Sequence, residues 1–307
     1  MKPWTFVHVA DIHVGSPRSF RFEPTWNENW QTAKKRILEI RPDLLLVGGD
    51  LARDGNVHRY ELENVKAELD GLPFPYYVVP GNMDTGNKHA RPPGSSTQRD
   101  DTRLNITSEQ LTHFESVFGP SQWSCVHKNV RFSGFCDMLV NSGLPQEDSL
   151  WQWMEIQKNL PREAFHVWLM HYALFIDDPG EPNFHCQGSR EQYLCWYFGV
   201  DNPGRSRLLE AFQAAGATHV ISGHVHCRKT YHAGQIQFDI APSTAFAQFH
   251  THWKDDDPTL GFLRYDVSRE AITRSFIALE KTSSKTGYGP GGHPRPEDRD
   301  YSRAWEK

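Results

Sequence analysis

Residues 43 to 49 read Asp-Leu-Leu-Leu-Val-Gly-Gly, and a carboxylate, Asp50, follows at once. A continuous apolar run this short reads as a strand covered on both faces, the habit of parallel strands inside an αβ core. Its surroundings keep the same rhythm. A β-rich run over 5–10 comes first, and a helical stretch over 27–41, with Trp30, Ile37 and Leu38 on one side, is stopped by Pro42. A second helix over 58–69 and a third strand over 75–79, ended by Pro80-Gly81, complete a βαβαβ pattern.

The rest of the chain continues the alternation. Residues 85–106, rich in Gly, Pro, Arg and Ser, read as a long surface loop beside a site. Helices are expected over 107–118, 148–160, 189–198 and 203–215, and strands over 122–127, 130–135, 165–170 and 218–222. Another loop falls at 177–187, and three or four short strands follow 222, up to about residue 278. No internal repeat is present. Residues 1–280 are expected to form one domain, and 281–307, of linker-like composition, a tail that is disordered or wraps the surface.

Charge and composition exclude several classes. Lys and Arg number 33 against 38 Asp and Glu, a balance that argues against a nucleic-acid binder. No apolar run approaches bilayer length, so no membrane partner is expected. The first residues carry no apolar signal-peptide core, so the expected location is cytoplasmic. The cysteines are odd in number (Cys125, Cys136, Cys186, Cys195, Cys227), widely spaced and without a C-x-x-C pair, as expected of free thiols. No G-x-S-x-G elbow or H-E-x-x-H helix supports serine-hydrolase or zincin chemistry, and Gly81 to Lys88 fails the P-loop pattern.

Chemistry collects where strands end. Asp11 and His13 follow the first strand, Asp50 the second and Asn82 the third. His171 ends the run Phe-His-Val-Trp-Leu-Met, and His224 and His226 follow the strand before Gly223. Carboxyl ends of strands in an αβ sheet gather on one edge, where ligands bind. Five strands would thus deliver seven nitrogen and oxygen donors to one place. That donor set suits a pair of Zn, Mn or Fe(II) ions better than Ca or Mg. D-x-H and H-x-H spacing is read as extended backbone placing both side chains on one side. One carboxylate, Asp50, can bridge two ions, and the excess positive charge would bind phosphate and acidify a water between them. Each motif alone is weak. Gly-His-x-His is the rarest, with about 0.06 chance matches expected for 23 Gly and 16 His in such a chain.

D-x-H, G-D, G-N-x-D, a lone His and G-H-x-H, in this order from Asp11 to His226, resemble the signature of the calcineurin-like metallophosphoesterase superfamily. GGDLARDG (48–55) and GNMDTGN (81–87) look like its bacterial cyclic-nucleotide-phosphodiesterase-like and calcineurin-like phosphoesterase branches. The resemblance implies an α/β fold, a four-layer αββα sandwich of two mixed sheets flanked by helices. It implies a dinuclear-metal phosphoesterase with a metal-bridging hydroxide as nucleophile. Asp11, His13, Asp50 and His226 would hold one metal ion and Asp50, Asn82, His171 and His224 the other, with Asp50 bridging. Asp50, Asn82 and Asp84 would serve catalysis, Asp84 by orienting a ligand or a substrate-binding residue. The expected substrate is a small phosphoester, a nucleotide among the candidates.

Two positions depart from the family pattern. Met83 stands where a histidine usually donates to the phosphate or the leaving group, and a thioether has no proton to give. Either another residue supplies it, with His89, His250, His252 and Arg53 as candidates, or the leaving group is a better one. This favours a phosphodiesterase over a phosphomonoesterase or Ser/Thr-type protein phosphatase, with a metal-free scaffold as the third reading. Arg53 stands three after Asp50, where purple acid phosphatases have Tyr, so the Fe(III) charge-transfer type is not expected. Arg53, Met83, His250 and His252 are the candidate substrate contacts.

Overall fold

A computed structural model of the chain describes residues 2–19, 22–89, 102–186, 188–250 and 252–283. Two mixed sheets lie face to face. The first orders its strands β11(Ile272–Ala278), β10(Gly261–Val267), β1(Trp4–Val9), β2(Leu44–Gly48) and β3(Tyr76–Val79). The second runs β4(Trp123–His127), β5(Val130–Gly134), β6(Phe165–Leu169), β7(His219–Ser222), β9(Ile236–Ile240) and β8(Lys229–Ala233). Within them β1, β2 and β3 are parallel, as are β5, β6, β7 and β9. Their carboxyl ends therefore face one edge, as the sequence pattern predicts.

Alternation along the strands builds the layers. Phe6 and Ala10, Leu44 and Leu46, and Leu263 and Tyr265 point between the sheets and meet Val130, Phe132, Val167, Leu169 and Ile221 of the other sheet. Phe6 stacks on Tyr265 at 4.5 Å and meets Phe132 edge-on at 5.2 Å. The opposite parity, Val7, Val9, Leu45 and Val47, packs outward on α1(Pro24–Ile40) and α2(Arg59–Asp70). On the far side Trp168, Val220 and Phe238 pack against α5(Pro145–Lys158) and α7(Gly204–Ala215). Every residue of β2 is buried, which is why its sequence reads as an unbroken apolar run.

Helix boundaries differ from expectation by a few residues. The helices expected at 27 and 148 begin at Pro24 and Pro145, because proline's fixed φ suits the first helical turn, where its missing N–H is no loss. In α1 the buried stripe is Trp26, Trp30, Ala33 and Ile37, while Leu38, one residue off it, is 37 % exposed. A one-turn helix, α3(Asn82–Thr85), lies where no helix was expected. α4(Ser108–Phe118) and α6(Arg190–Phe198) complete the set. The ends of the expected loop over 85–106 are pinned together, Asn87 N–H donating to Leu104 O and Ile106 N–H to Asn87 O, both at 2.7 Å. Its residues 90–101 lie outside the described residues. So do 284–307, most of the expected tail, while Ser283 bonds Asn29 and Glu28 of α1.

Candidate metal centre

The loops that leave the parallel strands are laced to one another. Asp11 N–H donates to Gly49 O and His13 N–H to Asp50 O, each at 3.0 Å. Across the two sheets, His171 Nδ1 donates to Gly48 O at 2.8 Å and His224 N–H to Asp11 Oδ2 at 2.9 Å, while within the second sheet Gly223 N–H donates to His171 O at 2.9 Å. The glycines of these motifs serve close approach. A Cβ on Gly49 would fall 2.5 Å from His171 Nδ1, and one on Gly223 2.5 Å from Asp11 Oδ2.

The backbone here is not extended. Asp11, His13, Asp50, His224 and His226 have φ of 53°, 45°, 49°, 66° and 55°, in the left-handed region. Such conformations cost non-glycine residues on the order of 1–3 kcal/mol each and gather where structure serves a site. The expectation that D-x-H and H-x-H converge through extended backbone is thus corrected. Left-handed turns aim the side chains, and they send His224 and His226 to different clusters.

The structure brings all seven expected donors together, buried, at one end of the sandwich. Asp11, His13, Asp50 and His226 each offer an atom within 4.8 Å of the others, and so do Asp50, His171 and His224. His13 Nε2 lies 3.2 Å from His226 Nε2 and 3.5 Å from Asp50 Oδ2, and His226 Nε2 lies 3.3 Å from Asp11 Oδ1. On the other side His171 Nε2 lies 3.4 Å from Asp50 Oδ1 and 3.1 Å from Asn82 Oδ1. The two oxygens of Asp50 thus face the two clusters. Ligands about 2.0–2.2 Å from a shared ion stand roughly 2.8–3.6 Å apart in octahedral or tetrahedral arrangement, the range these donor pairs span.

The donors are also prepared for cations. The Nδ1 atoms of His171 and His226 are spent on Gly48 O and Phe246 O, and His224 Nε2 on Tyr197 O, which turns each ring's other nitrogen inward. Asp11 Oδ1 and His13 Nδ1 are buried without a hydrogen bond. Burial and the neighbouring imidazoles and Arg53 hold His13 well below the usual histidine range, and burial with His171 and His226 does the same to His224. Burial would lower His171 too, but Asp50 and Asp11 outweigh it and raise it. Burial pushes Asp50 up, opposed by His171. Imidazoles and a shared carboxylate converging in a buried site are a donor set that divalent transition-metal ions fit.

Three residues hold this arrangement. Asp137, which no sequence signal marked, accepts from the N–H groups of His171 and Tyr172 through its two oxygens, both at 2.8 Å. Asp84 accepts from Gly81 N–H at 2.8 Å, Ala52 N–H at 2.9 Å and Leu51 N–H at 3.1 Å. Its carboxylate is occupied by backbone and touches no ligand histidine, and it clamps together the loops that carry Asp50 and Asn82. Burial, with the Asp50 charge, pushes it up to about 7. Lys88 is 4 % exposed and bonds Gly199 O at 2.6 Å and Asp201 at 3.0 Å, tying the Asn82 loop to the end of α6.

Above the donors opens a cleft of about 440 Å³, walled by Trp26, Arg53, Met83, Tyr197, Phe198 and Phe246 among others. Arg53 and Met83 line this cleft. His250 and His252 do not: both are exposed and off the cleft wall, the His252 ring packing against Phe249 at 4.8 Å and Trp253 at 4.7 Å. His89 donates to Ile106 O at 2.8 Å and is likewise off the wall. Of the residues named to compensate for Met83, Arg53 alone lines the cleft. No sequence signal marked the aromatic wall; within it Phe198 is buried in the core and Tyr197 packs half-buried against it.

A family model described as calcineurin-like phosphoesterase matches residues 5–228. A Danio rerio protein named as the serine/threonine-protein phosphatase CPPED1 is 26 % identical over 245 residues, 73 % of this chain and 70 % of that one. A Nostoc sp. 3′,5′-cyclic-nucleotide phosphodiesterase is 36 % identical over 85 residues, 27 % of this chain and 31 % of its own. Among solved structures, a yellow lupin purple acid phosphatase superposes with a TM-score of 0.61 at 14 % identity, over 92 % of this chain and 52 % of that one. That last likeness speaks to the fold alone.

Proposed function

The chain belongs to the calcineurin-like phosphoesterase family and is a metal-dependent phosphoric ester hydrolase, and from that premise we propose that it is a dinuclear enzyme preferring phosphodiesters. The observation that carries the reading is the pair of donor clusters sharing Asp50 at the floor of a cleft in which Met83 replaces a proton donor. Asp11, His13, Asp50 and His226 would hold one ion, and Asp50, Asn82, His171 and His224 the second. A pair of divalent ions supplies Lewis acidity to phosphoryl oxygens and brings the pKa of water toward neutrality.

The chain's own residues do the rest. Asp50, anchored by Met83 N–H at 2.8 Å, keeps the two clusters in register. Asn82 is held by Asn87, whose side-chain oxygen accepts from its amide at 3.0 Å, leaving Asn82 Oδ1 turned to the second cluster. Arg53 brings a permanent cation to the wall for a phosphoryl or leaving oxygen. Met83 brings no proton, so an alkoxide would depart unaided from phosphoserine, phosphothreonine or an alkyl diester alike, which favours substrates with a better leaving group. The similarity to a protein phosphatase supports the monoesterase as second reading.

Asp50→Asn is expected to lower hydrolysis of bis-(4-nitrophenyl) phosphate by about 10³-fold or more with Mn present, while the circular dichroism spectrum is kept. Undiminished turnover would end the two-ion reading. Rates on bis-(4-nitrophenyl) and mono-(4-nitrophenyl) phosphate separate the two substrate classes, and a strong monoester preference would reverse the reading of Met83.

A further inference from the structure

One wall of the cleft has chemistry that holding ions does not use. Arg53, from the loop after β2, lays its guanidinium 4.8 Å from the ring centre of Trp26 and 5.9 Å from that of Phe246. Phe246 packs 5.1 Å from Trp26 and 4.5 Å from the His226 ring. Trp26 is 6 % exposed, so its indole is a fixed platform. A guanidinium stacked on a fixed ring is a preorganised planar fork, and that fork matches two oxygens of a phosphate better than the single oxygen of an alkoxide or phenoxide. The fork stands beside the cluster containing His13 and His226, in the same cleft as Met83.

We infer that Trp26, Arg53 and Phe246 form a leaving-group subsite for a phosphate, and that the substrate class is the disubstituted diphosphate, R–O–P–O–P–O–R′. The inference rests on the diester reading, because the attacked phosphorus of such a molecule carries one ester and one anhydride oxygen. In the reaction a water oxygen bonds to that phosphorus and the bond from phosphorus to the bridging oxygen breaks. The electron pair stays on the departing oxygen, the water's protons pass to solvent, and two monophosphates result. An alkoxide must be protonated as it leaves, help worth about 10²–10⁴-fold in rate. A phosphate leaves as a stable oxyanion, so Met83 is no handicap and a fixed cation takes over the acid's place. Glu23 and Tyr197 also line the cleft and are the rival proton donors that the experiment must exclude.

The test uses the full chain loaded with Mn and four probes: UDP-glucose, P1,P2-diadenosine diphosphate, 3′,5′-cyclic AMP and thymidine 5′-(4-nitrophenyl phosphate). At least one diphosphate is expected to exceed cyclic AMP in kcat/KM by about 100-fold or more. In Arg53→Met, the ratio of diphosphate to nitrophenyl-ester kcat/KM is expected to fall by about 20-fold, with partial recovery in Arg53→Lys, which also serves if the Met variant does not fold. Cyclic AMP turned over as fast as both diphosphates would overturn the inference, and would point to Glu23 or Tyr197 as acid. An unmoved ratio in both variants would overturn it too, since Arg53 would then serve any oxyanion. If the wild type hydrolysed none of the four, the diester reading itself would fall.

Discussion

At Gly223 the two sheets approach closely beside the site, and adding one methyl group there tests the geometry directly. A Cβ on Gly223 would lie 2.5 Å from Asp11 Oδ2 and 2.6 Å from Ala10 Cβ. Ordinary contacts of this kind sit near 3.5 Å, so relief requires roughly 1 Å of separation between the ends of β1 and β7. Overpacking of this size costs about 1–3 kcal/mol of stability. The larger effect falls on the donors, because the same movement draws His224 and His226 away from Asp11 and breaks the bond from His224 N–H to Asp11 Oδ2. Metal sites tolerate only about 0.2 Å in ligand distance. Misplacement near 1 Å costs about 10²-fold in rate.

Gly223→Ala is therefore expected to lower the Tm by several degrees, to weaken Mn binding measured by calorimetry at least about tenfold, and to cut bis-(4-nitrophenyl) phosphate turnover by about 10²-fold. Gly234→Ala is the control. Gly234 has φ +61° with nothing within 4 Å of its added Cβ, in the turn between β8 and β9 away from the donors. An alanine there carries left-handed strain of about 1–2 kcal/mol, so the variant should lose stability without losing ions. Wild-type ion affinity and turnover in Gly223→Ala, or equal ion loss in both variants, would refute the claim that contact between the sheets aligns the donors.

Two further outcomes follow from buried charges. Lys88→Met leaves Asp201 buried without its cation, which costs about 3–5 kcal/mol, and loosens the end of α6 that holds His224 through Tyr197 O. Calorimetry should show both a large fall in Tm and a weakened Mn site, and a Tm within about 2 °C of wild type would contradict the role given to Lys88. Glu61 is pushed up to about 7, first by burial and also by the Asp54 charge, while Ser16, Ser19 and the Asp54 N–H hydrogen-bond it. Its folded pKa lies above the unfolded value of 4.5, so the folded state holds the extra proton between the two. Stability is then lost as pH rises from about 4.5 to 7, by up to about 3 kcal/mol. Glu61→Gln should flatten that slope, so a Tm difference between variant and wild type that stays constant from pH 5 to 7 would disprove it.

Strand ends were legible because burial fixes them. A strand covered on both faces must be apolar throughout, and the first polar residue beyond it, as Asp50 beyond Leu44–Gly48, marks the edge of the sheet. Parallel strands then bring those markers to one side whatever lies between them, which is why seven donors scattered from Asp11 to His226 could be assigned to one place. What this logic does not reach is anything set by the path of the chain after the strand. Asp137 lies 34 residues before His171 in sequence and meets its N–H only because β5 and β6 are parallel neighbours. His250 and His252 follow a strand as the donors do, yet the turn beyond Phe246 carries them outward while Phe246 itself stays at the cleft. The left-handed turns at the donors belong to the same class. Asp and His tolerate positive φ better than branched residues do, but tolerance does not say where it is used. Lacing by Gly48 O, Gly49 O and Asp11 Oδ2 across loops distant in sequence is what selects that conformation. The donors are thus encoded one strand at a time, whereas their aim is encoded only in the assembled pair of sheets, and substitutions at silent neighbours such as Gly223 should disturb ion binding as much as loss of a donor does.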